Sequence, residues 1–204
     1  MTGKLSLRRE PTQARARHTF NTLLSVTAEL LEEVGFEAFN TNLLANRSGI
    51  GTRAIYRYFP NKYALVSELA RRMSARWREN LTLITVQNSV TWPDVWPLYL
   101  DAYVAAVRDT PGGVALLQAM RVHPELRAVD DEVNTRYVAE TTAALRHANK
   151  TLTRNQARLT ATLLLKSTIA IIDTLLDENR SNAKRMLDML KAMHLTLLRE
   201  QLAR

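Results

Sequence analysis

Cysteine is absent from this chain of 204 residues, and its absence excludes several classes of function. Without thiols there are no disulfides, no thiolate metal sites and no thiol catalysis, and the composition is compatible with a reducing compartment. Long apolar runs are also missing, since no stretch approaches the roughly 18 residues of a membrane span. Residues 1–10 are basic but lack the apolar run of a secretion signal. We therefore expect a cytoplasmic protein without a membrane segment.

Catalytic and metal-binding motifs are equally scarce. The segment Gly49-Ile50-Gly51-Thr52-Arg53-Ala54 has the letters of a dinucleotide-binding loop, but that loop follows a strand, and residues 43–47 have a helical pattern. A metal site in a helical bundle uses Glu-x-x-His pairs, and none of the four histidines has Glu three positions earlier. Neither a Gly-x-Ser-x-Gly elbow nor a Walker loop is present. We expect no enzyme, no metal and no cofactor.

Apolar residues recur three and four positions apart along the chain, and no stretch alternates with period two. The first helix is expected from about Pro11 to Val34, and a long helix of about 25 residues follows Asn61. Breaks between helices fall at Gly35, residues 87–92, Pro111-Gly112-Gly113, His123-Pro124 and Thr151. The sequence predicts an all-α fold of about nine helices.

Basic residues outnumber acidic ones by 28 to 20, which gives a net charge of +8 and a pI near 10.1. Nine of the basic and five of the acidic residues lie among residues 1–62, so this part carries half of the surplus. Such a surplus favours polyanionic partners, although it also serves solubility. Residues 1–11 are expected to be a disordered arm, and two interpretations stay open. The arm is a soluble tail, or it reaches phosphates or a minor groove through Arg8, Arg9, Arg15 and Arg17.

Residues 40–62 have the pattern of two short helices joined by a glycine turn. Asn40 is a good N-cap, and Gly49 suits the left-handed conformation in which a helix ends. The second helix is expected to start near Gly51 or Thr52. It should end at Phe59, because the residue before a proline is disfavoured in the helical region.

The second of these helices has two faces. Ile55 and Phe59 are four positions apart and are expected to point inward. The outward face carries four polar residues, which are Thr52, Arg53, Tyr56 and Arg57. A short helix that presents these groups, braced by another helix, fits the major groove of DNA. We therefore expect double-stranded DNA as the partner.

Four short motifs lie within residues 18–65 at a characteristic spacing. They are Gly35-Phe36-Glu37-Ala38, Leu44-Ala45, Ser48-Gly49-Ile50-Gly51, and Tyr56-Arg57-Tyr58-Phe59-Pro60-Asn61-Lys62 with Leu65. In sequence and spacing this third of the chain resembles the DNA-binding domain of the TetR family of transcriptional regulators. Phe39, Gly51 and Arg53 depart from the family pattern.

The resemblance implies a division of the chain and roles for its residues. A helix-turn-helix at about residues 41–59 would lie in a DNA-binding domain of residues 1–62, followed by a ligand-binding and dimerisation domain of residues 63–204. The long helix after Asn61 would transmit ligand binding to the DNA-binding domain. Base-edge or near-base contacts are implied for Asn42, Thr52, Arg53 and Arg57. Phosphate contacts are implied for Thr41, Tyr56, Tyr58 and Lys62.

The last two predicted helices, at about 153–178 and 183–202, are the most apolar. The first is apolar on more than one face, so it can pack within its own chain and also meet a second subunit. Complete burial within one chain is the alternative. A homodimer is favoured because two DNA-binding domains about 34 Å apart bind a pseudo-palindrome, and the resembled family dimerises through its last two helices. The expected interface residues are Leu163, Ile171, Leu175, Met186, Leu190, Met193 and Leu197.

The middle helices carry large side chains with polar tips, which suit a mostly apolar ligand pocket. They lie where the resembled family forms its effector cavity, and ordinary core packing is the alternative. The set comprises Trp96, Tyr99, Tyr103, Met120 and His123. Asp173 is added because a carboxylate on an apolar face needs a partner, either an arginine or a polar ligand.

Together these features predict a homodimeric transcriptional regulator, most simply a repressor that leaves a pseudo-palindromic operator when a small apolar effector binds. The alternative is an effector-blind helix-turn-helix protein whose helical domain docks another protein. A helical enzyme with an incidental helix-turn-helix would need catalytic groups that the sequence does not contain.

Overall fold

A computed structural model describes residues 5–88, 92–177 and 180–202. Side chains are described at all of these positions except 77, 80–88, 92, 173, 175–177 and 180. Two residues of the predicted sites, Asp173 of the ligand set and Leu175 of the dimer set, therefore lie outside the described side chains.

The described residues form nine helices and no strand, which confirms the predicted all-α fold. Their bounds are α1 Ala14–Ala38, α2 Thr41–Ser48, α3 Thr52–Tyr58, α4 Lys62–Asn88, α5 Trp92–Asp109, α6 Gly113–Val122, α7 Arg127–Ala148, α8 Arg154–Asp177 and α9 Arg180–Leu202.

The helix ends near the amino terminus follow from local signals in the sequence. The Asn40 carboxamide accepts the backbone N–H groups of Asn42 and Leu43 at 3.0 Å each, which caps α2. Gly49 ends α2 in the left-handed region at φ 68°. Asn61 caps α4 by accepting the N–H of Ala64 at 2.9 Å.

The first helix ends later than predicted. Helical structure continues from Ala14 to Ala38, although Gly35 interrupts it at φ 69° and ψ 175°. Gly35 therefore kinks α1, as a residue without a Cβ can at positive φ, and three further residues resume the helical turn.

One compact unit comprises Met1–Ala75 and Val107–Asp130, and it contains α1–α3, the first half of α4, and α6. Its core is rich in aromatic rings. Phe20 of α1 stacks on Phe59 with ring centres 4.8 Å apart and meets Tyr58 edge-on at 5.5 Å. In the same unit α6 packs along α1.

A second compact unit comprises Arg76–Ala106 and Asp131–Arg204. Its core joins α5 to α7, α8 and α9, and the fully buried members include Leu100, Leu145, Leu164 and Leu198. Grouping by packing thus places α6 with the amino-terminal helices. The predicted boundary between residues 62 and 63 is a division by function and stays a prediction.

Candidate nucleic-acid interface

Helices α2 and α3 are joined by the three residues Gly49, Ile50 and Gly51, which makes a helix-turn-helix. The turn is fixed by Ser48, whose hydroxyl donates to the Leu44 carbonyl at 2.6 Å and accepts the Ile50 N–H at 3.2 Å. Every one of these contacts is local in sequence. The pattern of residues 40–62 therefore predicts the motif correctly.

The inner face of α3 is anchored in the core. Ile55 and Phe59 are completely buried, as is Leu44 of the preceding helix, and this confirms the predicted inward direction of Ile55 and Phe59. Because one side of α3 is held by close-packed residues, the other side is presented in a fixed orientation.

The outer face of the motif carries most of the predicted DNA-contacting side chains. Asn42, Arg53, Tyr56 and Arg57 are exposed, whereas Thr41 and Thr52 are half-buried. The Thr41 hydroxyl and the Tyr56 hydroxyl lie 3.0 Å apart, so the first residue of α2 and the middle of α3 form one polar surface. We call these six residues, Thr41, Asn42, Thr52, Arg53, Tyr56 and Arg57, the outer face.

Tyr58 does not belong to the outer face, and its predicted role as a direct phosphate contact needs correction. Its side chain is 1% exposed, because its ring packs edge-on against Phe20. The Tyr58 hydroxyl accepts a hydrogen bond from Nη2 of Arg57 at 2.8 Å. The Arg57 guanidinium carbon also lies 4.8 Å from the centre of the Tyr58 ring. Tyr58 therefore supports Arg57 from within the protein.

Lys62 has a structural role that the sequence did not indicate. Its ammonium donates to the carbonyls of Phe36 at 3.2 Å and Phe39 at 3.4 Å, and it lies 4.4 Å from the centre of the Phe36 ring. These contacts tie the first residue of α4 to the end of α1. Two of the three ammonium donors serve the protein itself, so the predicted phosphate contact of Lys62 stays a prediction.

The segment before α1 is the largest departure from expectation at this end of the chain. Residues 5–13, which we call the arm, are described, and Arg8 joins them to α3. The guanidinium of Arg17 donates to the Thr12 carbonyl and so connects the arm to α1. Hydrogen bonds of Arg8 and Arg17 therefore attach the largely exposed arm to α3 and α1, and residues 5–13 have a defined course where a disordered segment was expected.

The predicted ligand residues with described side chains are divided between the two compact units. Trp96, Tyr99 and Tyr103 lie on α5, and the Tyr99 ring is 4.9 Å from Trp96 and 6.4 Å from Tyr103, between ring centres. Met120 and His123 belong to the other unit. There Met120 is buried, and the His123 ring lies 4.2 Å from Phe36 between ring centres.

Tyr137 of α7 is a member of the aromatic cluster that the sequence did not single out. Its ring centre lies 6.4 Å from that of Tyr99. Burial raises the pKa of the Tyr99 and Tyr137 hydroxyls, so both keep their proton over the accessible pH range. Trp96, Tyr99, Tyr103 and Tyr137, which we call the aromatic cluster, therefore combine large apolar area with neutral polar tips.

His194 is another residue whose importance the sequence did not show. It is 1% exposed on α9, its Nδ1 accepts the indole N–H of Trp96 at 2.9 Å, and its Nε2 lies 2.7 Å from the Ser167 hydroxyl of α8. Desolvation lowers the pKa of His194 to about 4. Its spacing of four from the apolar Leu190 and Leu198 was the available signal that it faces the core.

The predicted dimer residues with described side chains fall into three groups by exposure. Leu163 and Met193 are 59% and 50% exposed, so these apolar side chains are available to a partner. Leu190 is 1% exposed because it packs in the core of its own chain, and it must be removed from the predicted interface. The others, Ile171, Met186 and Leu197, are partly buried.

The described residues show neither a candidate metal site nor a helix suited to cross a membrane. These residues contain no group of three or more His, Asp or Glu side chains that could hold a metal ion. No helix among them is both long and apolar enough to cross a membrane.

Two sequence profiles match this chain. One, described as "Bacterial regulatory proteins, tetR family", covers residues 23–69, and another, described as "Tetracyclin repressor-like, C-terminal domain", covers residues 91–198. The tetracycline repressor protein class A from transposon 1721 of Escherichia coli is 42% identical over 55 residues. That match spans 27% of this chain and only 26% of the relative.

Solved structures share the fold over nearly the whole chain. A putative TetR-family transcriptional regulator from Syntrophomonas wolfei has a TM-score of 0.73 at 12% identity, covering 89% of this chain and 95% of its own. A TetR-family transcriptional regulator from Streptomyces coelicolor has a TM-score of 0.64 at 21% identity, covering 91% and 98%. Escherichia coli NemR in its reduced form has a TM-score of 0.68 at 17% identity, covering 86% and 96%. With its helix-turn-helix at one end and a matching carboxy-terminal profile over half its length, this chain belongs to the TetR family of bacterial transcriptional regulators.

Proposed function

We propose that this protein is a dimeric repressor that binds a pseudo-palindromic DNA operator and leaves it when a small apolar effector binds. The observation that carries the proposal is the two-sided character of α3. Its inner side is completely buried at Ile55, and its outer side exposes Arg53 and Tyr56 on a helix short enough for a major groove. The protein acts in the cytoplasm, through binding rather than catalysis.

The residues of the outer face take two kinds of role in this proposal. Asn42, Thr52 and Arg53 contact base edges, and Arg53 reaches a guanine through two parallel hydrogen bonds. The paired hydroxyls of Thr41 and Tyr56 contact backbone phosphates, which fixes the register of α3 in the groove. Arg57 serves the neighbouring backbone, because Tyr58 holds its guanidinium to one side.

Dimerisation is supported by exposed apolar residues on α8 and α9. The two helices pack against each other within the chain. Leu159 and Leu163 of α8 are 49% and 59% exposed, and Met189 and Met193 of α9 are 72% and 50% exposed. On each helix the two residues are four positions apart and so lie on one face. We call these four residues the dimer face, and two copies of it make a four-helix contact.

Effector binding is supported by the aromatic cluster. Its rings offer apolar area, and its hydroxyl groups, neutral over the accessible pH range, offer directional hydrogen bonds. This combination favours an uncharged, largely apolar molecule with one or two polar atoms. To release DNA, such a ligand needs about 5.5 kcal/mol of preference for the non-binding conformation if it moves the population from 1:99 to 99:1.

A selection from randomised duplex DNA tests the first half of this proposal, and titration of the selected complex with apolar metabolites tests the second. We expect one enriched pseudo-palindrome, and we expect a releasing ligand to raise the melting temperature of the protein. At a ligand concentration of 100 times Kd the stabilisation is about 2.7 kcal/mol. Enrichment of no sequence contradicts DNA recognition. A ligand that stabilises the protein and leaves DNA affinity unchanged contradicts induction alone.

A further inference from the structure

Arg8 hydrogen-bonds to the carboxy-terminal end of α3 and thereby holds the arm in place. Its backbone N–H donates to the Tyr58 carbonyl at 2.8 Å, and its Nη1 donates to the Tyr56 carbonyl at 3.1 Å. The residue four positions after Tyr56 is Pro60, which has no N–H to offer to the last turn of α3. Arg8 supplies hydrogen-bond donors to two carbonyls in the last turn of α3. The arm is therefore attached to the helix that carries the outer face.

A cleft of about 500 Å³ lies between the arm, the first turns of α1, and α3. Three guanidinium groups line it, one from each element: Arg9 of the arm, Arg15 of α1 and Arg57 of α3. None of its described lining residues is acidic. The hydroxyl-bearing residues of the lining are Thr12, Thr19 and Tyr58. A cleft with three cations and no opposing carboxylate attracts an anion.

The first turn of α1 adds to the positive character of this cleft. Gln13 is the N-cap residue of α1 and makes no side-chain hydrogen bond to the helix. Gln13, Arg15 and Ala16 all line the cleft. The first N–H groups of a helix have no partner within the helix, and the helix dipole places partial positive charge there. Both effects favour the same negatively charged ligand as the three arginines.

We propose that this cleft is a second DNA contact, which binds backbone phosphates of the duplex that α3 reads. Arg9, Arg15 and Arg57 are its cationic ligands, and Arg8 is the positioning residue that holds the arm against α3. The proposal rests on the proposed function, because it extends the same DNA-binding surface from the outer face to the arm. Guanidinium groups suit this task, since their donors match the geometry of phosphate oxygens.

The physical consequence is affinity without base selectivity. Phosphate contacts carry no sequence information directly, so the cleft strengthens binding to every duplex alike. Each phosphate contact also contributes about 0.9 to the slope of log K against log salt concentration. A change in base preference therefore reports on the base contacts of α3, whereas a lower salt slope with unchanged base preference reports on lost phosphate contacts.

The test measures binding of the full chain to the selected duplex and to a random duplex by fluorescence anisotropy, across a series of KCl concentrations. The variants are Arg8→Ala, the double variant Arg9→Gln/Arg15→Gln, and all three changes together. Arg199→Gln removes one charge from an exposed position on α9 and is the control for net charge. Arg53→Ala reports whether α3 still reads bases.

We expect the double variant to weaken both duplexes by the same factor and to lower the salt slope by up to about two per subunit. Arg8→Ala should weaken both duplexes as well, but it should add little once Arg9 and Arg15 have been replaced, because it acts through them. Fully additive effects would overturn the positioning role of Arg8.

The proposal that the cleft binds phosphates is overturned if the double variant keeps the wild-type salt slope. It is also overturned if Arg199→Gln lowers the slope per charge as much as the double variant does. In either case a loss of base preference in Arg53→Ala leaves the proposed function standing. If the wild-type protein binds no duplex, the proposed function itself is contradicted.

Discussion

At the residue scale, the three described glycines with positive φ differ in what surrounds them. Gly35, Gly49 and Gly112 have φ of 69°, 68° and 69°. A Cβ added to Gly35 or Gly49 would meet nothing within 4 Å, whereas one on Gly112 would lie 2.5 Å from the Ala28 carbonyl oxygen. The N–H of Gly112 also donates to the Glu32 carboxylate at 2.8 Å. Gly112 is therefore required both for its conformation and for the close approach of α6 to α1.

This difference predicts unequal costs for the same substitution. Gly49→Ala should lower the free energy of unfolding by about 1–2 kcal/mol, the cost of a left-handed conformation with a side chain. Gly112→Ala should lower it by about 1–3 kcal/mol more, because the α1 backbone must also move. Urea denaturation monitored by circular dichroism measures both values, and equal costs would contradict the close approach of α6 to α1.

His194 predicts how stability depends on pH. Its pKa is about 4 in the folded protein, below the ordinary value of 6.5, because burial disfavours the charged ring. Between these values the unfolded chain binds a proton that the folded chain does not. The contribution of His194 is therefore complete above about pH 6.5 and is lost as the pH falls towards 4, with a slope of at most ~1.4 kcal/mol per unit.

Denaturation midpoints of the wild type and of His194→Gln at pH 5.0, 6.0 and 7.0 check this expectation. The glutamine keeps a donor and an acceptor near Trp96 and Ser167 but does not titrate. Stability should fall more steeply from pH 7.0 to 5.0 in the wild type than in the variant. If stability falls equally with pH in both proteins, His194 is not held neutral by burial.

At the element scale, the helix-turn-helix is predictable because its determinants are neighbours in sequence. Asn40 caps residues two and three positions ahead, and Ser48 bonds to Leu44 and Ile50. Lys62 and Arg8 could not be assigned in this way. Lys62 binds a carbonyl 26 positions away and Arg8 one 48 positions away, so their roles exist only after the fold has formed. The contact of Tyr58 with Phe20 and that of Tyr137 with Tyr99 are also long-range, so local sequence patterns do not predict them.

The periodicity of α8 and α9 identifies apolar helices, but it does not say which apolar residues serve the chain's own core. Leu190 and Met193 are three positions apart on α9, and they are 1% and 50% exposed. Packing of α9 against the other helices of its unit selects between them. Among the described side chains of α8 and α9, the large apolar ones that are exposed for a subunit contact are those of the dimer face.

The dimer face predicts the effect of charge at its centre. Leu163→Glu combined with Met193→Glu should raise the dissociation constant of the dimer at least ~10-fold, since burying each apolar side chain contributes about 1.5–3 kcal/mol. Sedimentation velocity at several concentrations measures the change. Val122→Glu is the matched control, because Val122 is an apolar residue of α6 with 70% exposure. Unchanged association of the double variant would place the interface elsewhere.

At the scale of the whole molecule, a surplus of positive charge is combined with the proposed symmetric dimer. The net charge of +8 favours DNA of any sequence, and in the proposed function the outer face would add the choice of sequence. Two copies of that face can read two half-sites about 34 Å apart, one turn of the double helix. In the proposed dimer, recognition would therefore depend on Arg53 acting once in each half of the operator.

The selection from randomised DNA, carried out in parallel with wild type and Arg53→Ala, tests this claim most directly. We expect the wild type to enrich a pseudo-palindrome and the variant to lose preference at one base pair in each half-site, at symmetric positions. The lost discrimination should be about 1–3 kcal/mol at each position. If the two proteins enrich the same sequence with the same preference at every base pair, α3 does not read DNA through Arg53, and the central claim is wrong.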